Sequence, residues 1–174
     1  SRSPEWMDAH LPAAFAALAE ADIVHYKTCS TFDSSPATGS IGRALEIGHR
    51  AFGGVVPILV AAPHLRRYVL FGNLFAAAGP DIYRIDRHPT MARHPVTPMH
   101  EADLRRHLAA QTDMPIALVP IDRIQAGEAE AAFDAVTDGV VLFDGLDLAS
   151  VAQAGAVLLS RGVRFAVGSS GVTA

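Results

Sequence analysis

Residues 27–48 read KTCSTFDSSPATGSIGRALEIG. Here the chain's only lysine, Lys27, is followed by Ser30, Thr31, Asp33, Ser34 and Ser40, and then by Arg43. Two cations, one carboxylate and several hydroxyls in so short a space have the chemistry to hold a small acid. The cations offset its charge, and the hydroxyls and Asp33 bond its polar groups. The run also ends where a helix is expected to begin, and a helix N-terminus offers free N–H groups and the positive end of its dipole to an anion. A capped helix after a Ser/Pro-rich turn has the same composition, and these residues alone leave both readings open.

Residues 84–103, RIDRHPTMARHPVTPMHEAD, form a second concentration, with Arg84, Arg87, His88, Arg93, His94 and His100. His88, His94 and His100, with Asp86 or Glu101, are the right types for zinc or iron but lack the compact helical spacing of a metal box. No metal site is expected, and a histidine-based metal hydrolase is the weaker alternative. The three prolines between 87 and 99 predict a stiff loop, of the kind that serves as a lid or interface and contacts an anion. A third stretch, VGSSG, contains Gly168, Ser169, Ser170 and Gly171, a strand-to-helix turn of small residues that can face a ligand. Neither it nor Gly39–Gly42 matches a P-loop or a dinucleotide fingerprint. Cys29 has no identifiable base beside it, and Asp144 reads equally well as a functional carboxylate or as a cap.

The elements that must position these residues follow from periodicity. Trp6, Leu11, Phe15 and Leu18 recur at helical spacing and predict a helix over 4–21. Residues 22–29 read as a short strand, and 40–52 as a helix with Ser40 at its N-cap and Gly53 just past its end. VVPILVAAP, 55–63, is the continuous apolar run of a strand buried on both faces of a parallel sheet. Residues 66–77 and 81–86 read as hairpin strands, 87–99 as loop, 100–111 as helix and 114–121 as strand. Helix 126–137, strand 139–145, helix 148–162 and strand 163–170 complete the alternation. The fold class is α/β, a three-layer α/β/α unit around a mostly parallel, Rossmann-like sheet. In such sheets ligands sit at the carboxyl ends of the strands, which selects 30–42, 63–68, 144–145 and 168–171. Trp6, Phe15, Phe52 and Phe133 are expected in the core, and His25, His49 and His107 as surface or satisfied core histidines.

Composition bounds the function. At 174 residues, half of them hydrophobic and with a mean hydropathy of +0.24, the chain has the size and apolar content of one folded domain. A net charge of −4 and a pI near 6.0 argue against a general nucleic-acid binder, which would show a basic face. The single cysteine excludes an internal disulfide framework. No apolar run reaches the ~20 residues that span a bilayer, and no secretory h-region is present, so a cytoplasmic location is expected. The start at Ser1 and the stop just after an apolar strand lead us to expect an incomplete piece of a longer protein.

Taken together, YKTCSTFDSSPATGSIGRALEIG, FGNLFA, DRHPTMARHPVTPMHEADLRRHL and FAVGSSG resemble the four-carbon acid sugar kinase family, over nearly the whole chain. The resemblance implies the N-terminal sugar-acid-binding domain, 1–174, of a two-domain kinase. Such a kinase phosphorylates acids of the threonate, erythronate or 3-oxo-tetronate type. It implies ATP and Mg held mainly by a C-terminal domain, with Gly168, Ser169, Ser170 and Gly171 as the candidate cofactor-binding residues here. Substrate contacts would fall to Lys27, Ser30, Thr31, Asp33, Ser34, Ser40, Arg43, His88 and Arg93, with catalytic residues unassigned. Ser30 and Thr31 fit the Ser-Thr pair of the family's shorter Asp-Ser-Thr-x-Arg-Gly loop. The family's Asp-Asp-x-Thr-Gly motif would precede Ser1. The implied partners are a sugar acid and ATP, with a homo-oligomer as a further expectation. The alternative is a small-anion-binding or regulatory module without catalysis.

Overall fold

A computed structural model describes residues 2–172. Five short strands, β1 (Val24–Lys27), β2 (Val56–Leu59), β6 (Ile116–Val119), β7 (Val140–Phe143) and β8 (Phe165–Gly168), form a parallel sheet in the order β1-β8-β2-β7-β6. Every residue of β2, β7 and β8 is buried, as expected for apolar strands covered on both faces. Helices α1 (Pro4–Ala17) and α2 (Ile41–Phe52) pack on one face, where Phe15 and Phe52 meet Phe165 at centroid distances of 5.2 and 5.4 Å. The next residue of β8, Ala166, faces the opposite way, beside α6 (Leu148–Ser160). Side chains alternate along a strand, so these helices occupy opposite layers. Three shorter helices, α3 (Leu104–Ala109), α4 (Ile121–Gln125) and α5 (Ala129–Asp134), complete the cover.

Between β2 and α3 the chain leaves the sheet. Strands β3 (Arg67–Leu70), β4 (Asn73–Ala78) and β5 (Asp81–Arg84) form a separate antiparallel sheet. The β3–β4 turn has only two residues, Phe71 and Gly72, both at positive φ (50° and 79°). That is the geometry of a tight hairpin turn, but phenylalanine is strained in it. Asp144 holds the turn in place. Its fully buried carboxylate accepts from Phe71 N (2.5 Å) and Gly72 N (2.9 Å), and also from Ile121 N at the start of α4 (3.0 Å). Burial pushes this carboxyl above its usual range, against the opposite pull of the three N–H donors. Asp144 is thus a clamp between the two sheets, which is the capping alternative extended to three segments.

Most expected elements are present. Ser40 caps α2, its Oγ accepting from Arg43 N at 3.0 Å, and Gly53 closes the helix at φ 69°. The helix expected over 100–111 is confined to α3, because Asp103 is its N-cap, accepting from Arg105 N (3.0 Å), and residue 103 pairs with Asn73. α4 has no counterpart among the expected elements. Trp6 lies 38 % exposed rather than in the core, while Phe15 and Phe133 are buried. Among the described residues no helix is long and apolar enough to cross a membrane.

Candidate functional site

The parallel sheet delivers all five strand ends to one edge. At that edge β1 and β8 are neighbours with Lys27 opposite Gly168. Two stretches far apart in sequence therefore meet: Lys27 Nζ donates to Ser170 Oγ at 3.1 Å. The loop after β1 is tied back to the same strand end, with Thr28 N and Oγ1 both donating to the Gly168 carbonyl (2.7 and 3.2 Å). Beside this junction lies a hollow of about 280 Å³ whose lining includes Arg2, Trp6, Tyr26, Lys27, Cys29 and Asp33. Asp33 is held by two hydroxyls from different loops, Thr31 Oγ1 (2.5 Å) and Thr97 Oγ1 (3.0 Å). Each of its oxygens keeps a free lone pair. Arg2 stacks over the Trp6 ring at 4.9 Å. An ammonium, a guanidinium and a carboxylate around a half-apolar hollow suit a small polyhydroxy acid. A larger hollow of about 420 Å³ between α1 and α2 is lined mainly by apolar side chains, with Arg50 its one charged group. It lies away from the strand ends.

The other residues expected at the site are distributed as follows. Thr31 is buried and acts on Asp33. Ser30 is half-buried on the same loop, outside the lining of the hollow. Ser34 is buried and turned inward, donating to Phe32 O (3.1 Å) and facing Gln111 and His107. Ser40 is the α2 cap. Arg43 is gripped by both Asp8 oxygens (2.6 and 2.8 Å) and by Glu46 (2.5 Å), which hold its guanidinium far above the usual range. The α2 N-terminus, expected to face an anion, is already closed. Gln111 Oε1 accepts from Ile41 N (2.9 Å) and Gly42 N (3.3 Å), while Ser40 Oγ takes Arg43 N.

In the second concentration, His88 is buried. Its Nε2 faces Ala77 O, and its Nδ1 accepts from Thr90 N and Met91 N. His94 Nδ1 accepts from Thr97 N (3.0 Å). Arg93 and His100 are exposed. The loop reaches the hollow through Thr97 rather than through His88 or Arg93. Among the described residues no group of three His, Cys, Asp or Glu side chains is placed to hold a metal, so the histidines do not assemble as the hydrolase reading requires.

The Gly168–Gly171 turn, the candidate cofactor contact, packs closely on the chain that follows β2. Ser169 Oγ donates to Val60 O (2.6 Å). A Cβ on Gly171 would lie 1.9 Å from Ala61 O, and one on Gly168 2.6 Å from Leu59 O. These glycines admit neighbouring backbone of the fold, and Ser170 Oγ accepts from Lys27, which lines the hollow.

Sequence reasoning missed Arg2, Thr97, Gln111 and His107 as parts of this region, and placed Trp6 in the core. None lies near residues 27–43 in the chain except through the fold. The available signal was the polar Gln111 at the end of an amphipathic run, with His107 four residues earlier on the same helical face.

A family model described as "Sugar-binding N-terminal domain" matches residues 1–174. The chain is similar to the 3-oxo-isoapionate kinase of Paraburkholderia graminis, 52% identical over 160 residues, which covers 88% of this chain and 34% of that protein. It is also similar to the 3-oxo-tetronate kinase of Methylobacterium radiotolerans, 34% identical over 155 residues, 86% of this chain and 35% of the relative. A crystal structure of a Salmonella typhimurium LT2 protein superposes with a TM-score of 0.88 at 25% identity, covering 99% of this chain and 41% of that one. The chain thus spans about a third of the length of the curated relatives it matches. By this match over its full length, and in line with its resemblance to the four-carbon acid sugar kinases, the chain belongs to the family of sugar-binding N-terminal domains.

Proposed function

We propose that this chain is the substrate-binding part of an ATP-dependent kinase that phosphorylates a sugar acid of the 3-oxo-isoapionate or 3-oxo-tetronate type. The observation that carries the reading is the convergence of Lys27, Arg2 and Asp33 at one hollow on the carboxyl edge of the sheet. Lys27 with Arg2 offsets the acid's carboxylate, and Asp33, held by Thr31 and Thr97, accepts from its hydroxyls. A site built to bond hydroxyls discriminates strongly against analogues that lack them. Arg43 supports the site from behind, tying α2 to α1 through Asp8. ATP and Mg are assigned mainly to the rest of the longer protein, with Gly168, Ser169, Ser170 and Gly171 at the strand ends as this domain's candidate contribution to the nucleotide site. Phosphoryl transfer depends on positioning and charge stabilisation, so a substrate domain facing a separate nucleotide domain is a workable division. The work is expected in the cytoplasm. A purely regulatory binding module is the less favoured reading, because the curated relatives are kinases.

The test is Lys27→Ala in the full-length protein. Losing a bond to a charged partner costs about 1.5–3 kcal/mol, so KM for the sugar acid should rise roughly 10- to 150-fold with the thermal midpoint little changed. An unchanged KM would remove Lys27 from the site and with it the main support for this reading.

A further inference from the structure

The loop between β1 and α2 runs over residues 28–40 without regular structure, yet it carries Cys29 and Asp33 to the hollow. A loop of that length is mobile unless tied. Beyond the Thr28 bonds to Gly168 at its start, it is tied by Thr97 Oγ1 to Asp33 and by Gly39 N to the Arg2 carbonyl (2.7 Å). A further side chain does more. Gln111, just past the end of α3, uses both ends of its amide. Its Oε1 accepts from Ile41 N (2.9 Å), Gly42 N (3.3 Å) and Ser40 Oγ (3.4 Å). Its Nε2 donates to Ser34 Oγ (2.9 Å). Ser34 in turn donates to the carbonyl of Phe32, which is fully buried at φ 54°. The residues on both sides of Asp33 are therefore fixed from α3 and its end, by Gln111 together with His107, whose Nε2 lies 2.9 Å from Ser34 Oγ.

The partner glycine shows that the fit is mutual. A Cβ on Gly42 would lie 2.6 Å from Gln111 Cβ and 2.7 Å from the Gln111 carbonyl. Gly42 is not at positive φ, so its glycine is explained by the close approach of Gln111 rather than by backbone conformation. Only an amide of this length supplies an acceptor for the helix start and a donor for the loop at once.

We propose that Gln111 is a positioning residue for substrate binding, setting the place of Asp33 through Ser34 while closing the α2 N-terminus. The inference rests on the reading of the hollow as the sugar-acid site. It predicts that Gln111→Ala raises KM for the sugar acid about tenfold, equivalent to about 1.4 kcal/mol, with kcat within about twofold. It also predicts faster amide exchange over residues 28–42. Gln111→Glu keeps the acceptor for Ile41 and Gly42 but has no donor for Ser34. It should keep the helix start protected and the thermal midpoint near wild type while still raising KM.

The experiment is steady-state kinetics with Mg-ATP and a panel of 3-oxo sugar acids on the full-length protein and both variants, with hydrogen exchange of the loop. An unchanged KM in both variants overturns the proposal, as does unchanged loop exchange in Gln111→Ala. Should Gln111→Ala fail to fold, Gln111→Glu decides alone, since a wild-type KM in it means that the Gln111–Ser34 bond positions nothing and overturns the proposal. Should wild type turn over no sugar acid, the functional reading fails by itself. Loop exchange then still decides whether Gln111 holds the loop.

Discussion

Asp144 allows a perturbation whose size can be worked out from its contacts. Asp144→Ala removes the acceptor for three backbone N–H groups: Phe71, Gly72 and Ile121. An orphaned buried donor costs about 1–3 kcal/mol. The bonds at Gly72 and Ile121 are buried, whereas that at Phe71 is partly open, beside a side chain 57 % exposed, so water can replace it. Two full penalties give about 2–6 kcal/mol. Removing a carboxyl that burial already disfavours as an anion offsets part of this, so a loss of about 3 kcal/mol is expected. That is a large share of the roughly 5–15 kcal/mol that holds a typical domain together. Asp144→Asn retains one acceptor oxygen, satisfies at most two of the three donors, and should lose about half as much. Urea unfolding reads both variants. With a slope near 2 kcal/mol/M, the alanine midpoint should fall by about 1.5 M at unchanged slope. Hydrogen exchange at Phe71 and Gly72 should rise in parallel, because the hairpin turn is released. A midpoint within about 0.3 M of wild type would refute the clamp and the strain argument built on it.

Two glycines give opposite outcomes for the same substitution. Gly171→Ala places a Cβ 1.9 Å from the Ala61 carbonyl and should destabilise severely, whereas Gly155→Ala, inside α6 with nothing within 4 Å, should gain about 0.5–1 kcal/mol. Thermal melts of the pair check this, and equal effects would contradict the close packing of β8 on the end of β2. Burial lowers the pKa of His107 below its ordinary 6.5, so the folded state favours the neutral ring. The stability it contributes is fully present above about pH 6.5 and lost as pH falls through the lowered value. The stability difference between wild type and His107→Asn should therefore narrow on acidification, as measured by urea unfolding across that range. A difference independent of pH would mean that His107 is not held neutral.

Much of the fold was legible because its signals are local. Ser40 and Gly53 bracket α2 with a side-chain acceptor and a positive-φ glycine, and both needs are written in the residue types themselves. The buried strands announce themselves as apolar runs. α4 was not legible because a five-residue helix after Pro120 has too few turns to show a period. The candidate site was legible in part for a related reason. That Lys27, Ser30 to Ser34 and the 168–171 turn lie at strand ends follows from the α/β alternation. That Lys27 and Ser170 touch depends on β8 inserting next to β1, and strand order has no local signature. Arg43 reads as a free cation only until Asp8, 35 residues away, is brought beside it. The α2 N-terminus reads as an anion site only until Gln111 arrives from 70 residues downstream. In each case the polar group was identified by its type, and its partner was fixed by tertiary structure.

The most direct test of the account is ADP release by the full-length protein with Mg-ATP across a panel of 3-oxo and unoxidised sugar acids. The account predicts acid-dependent release with one or two members of the panel, and a KM for them that rises in Lys27→Ala. No release with any acid, from protein shown to be folded and to bind ATP, would contradict the sugar-acid kinase reading.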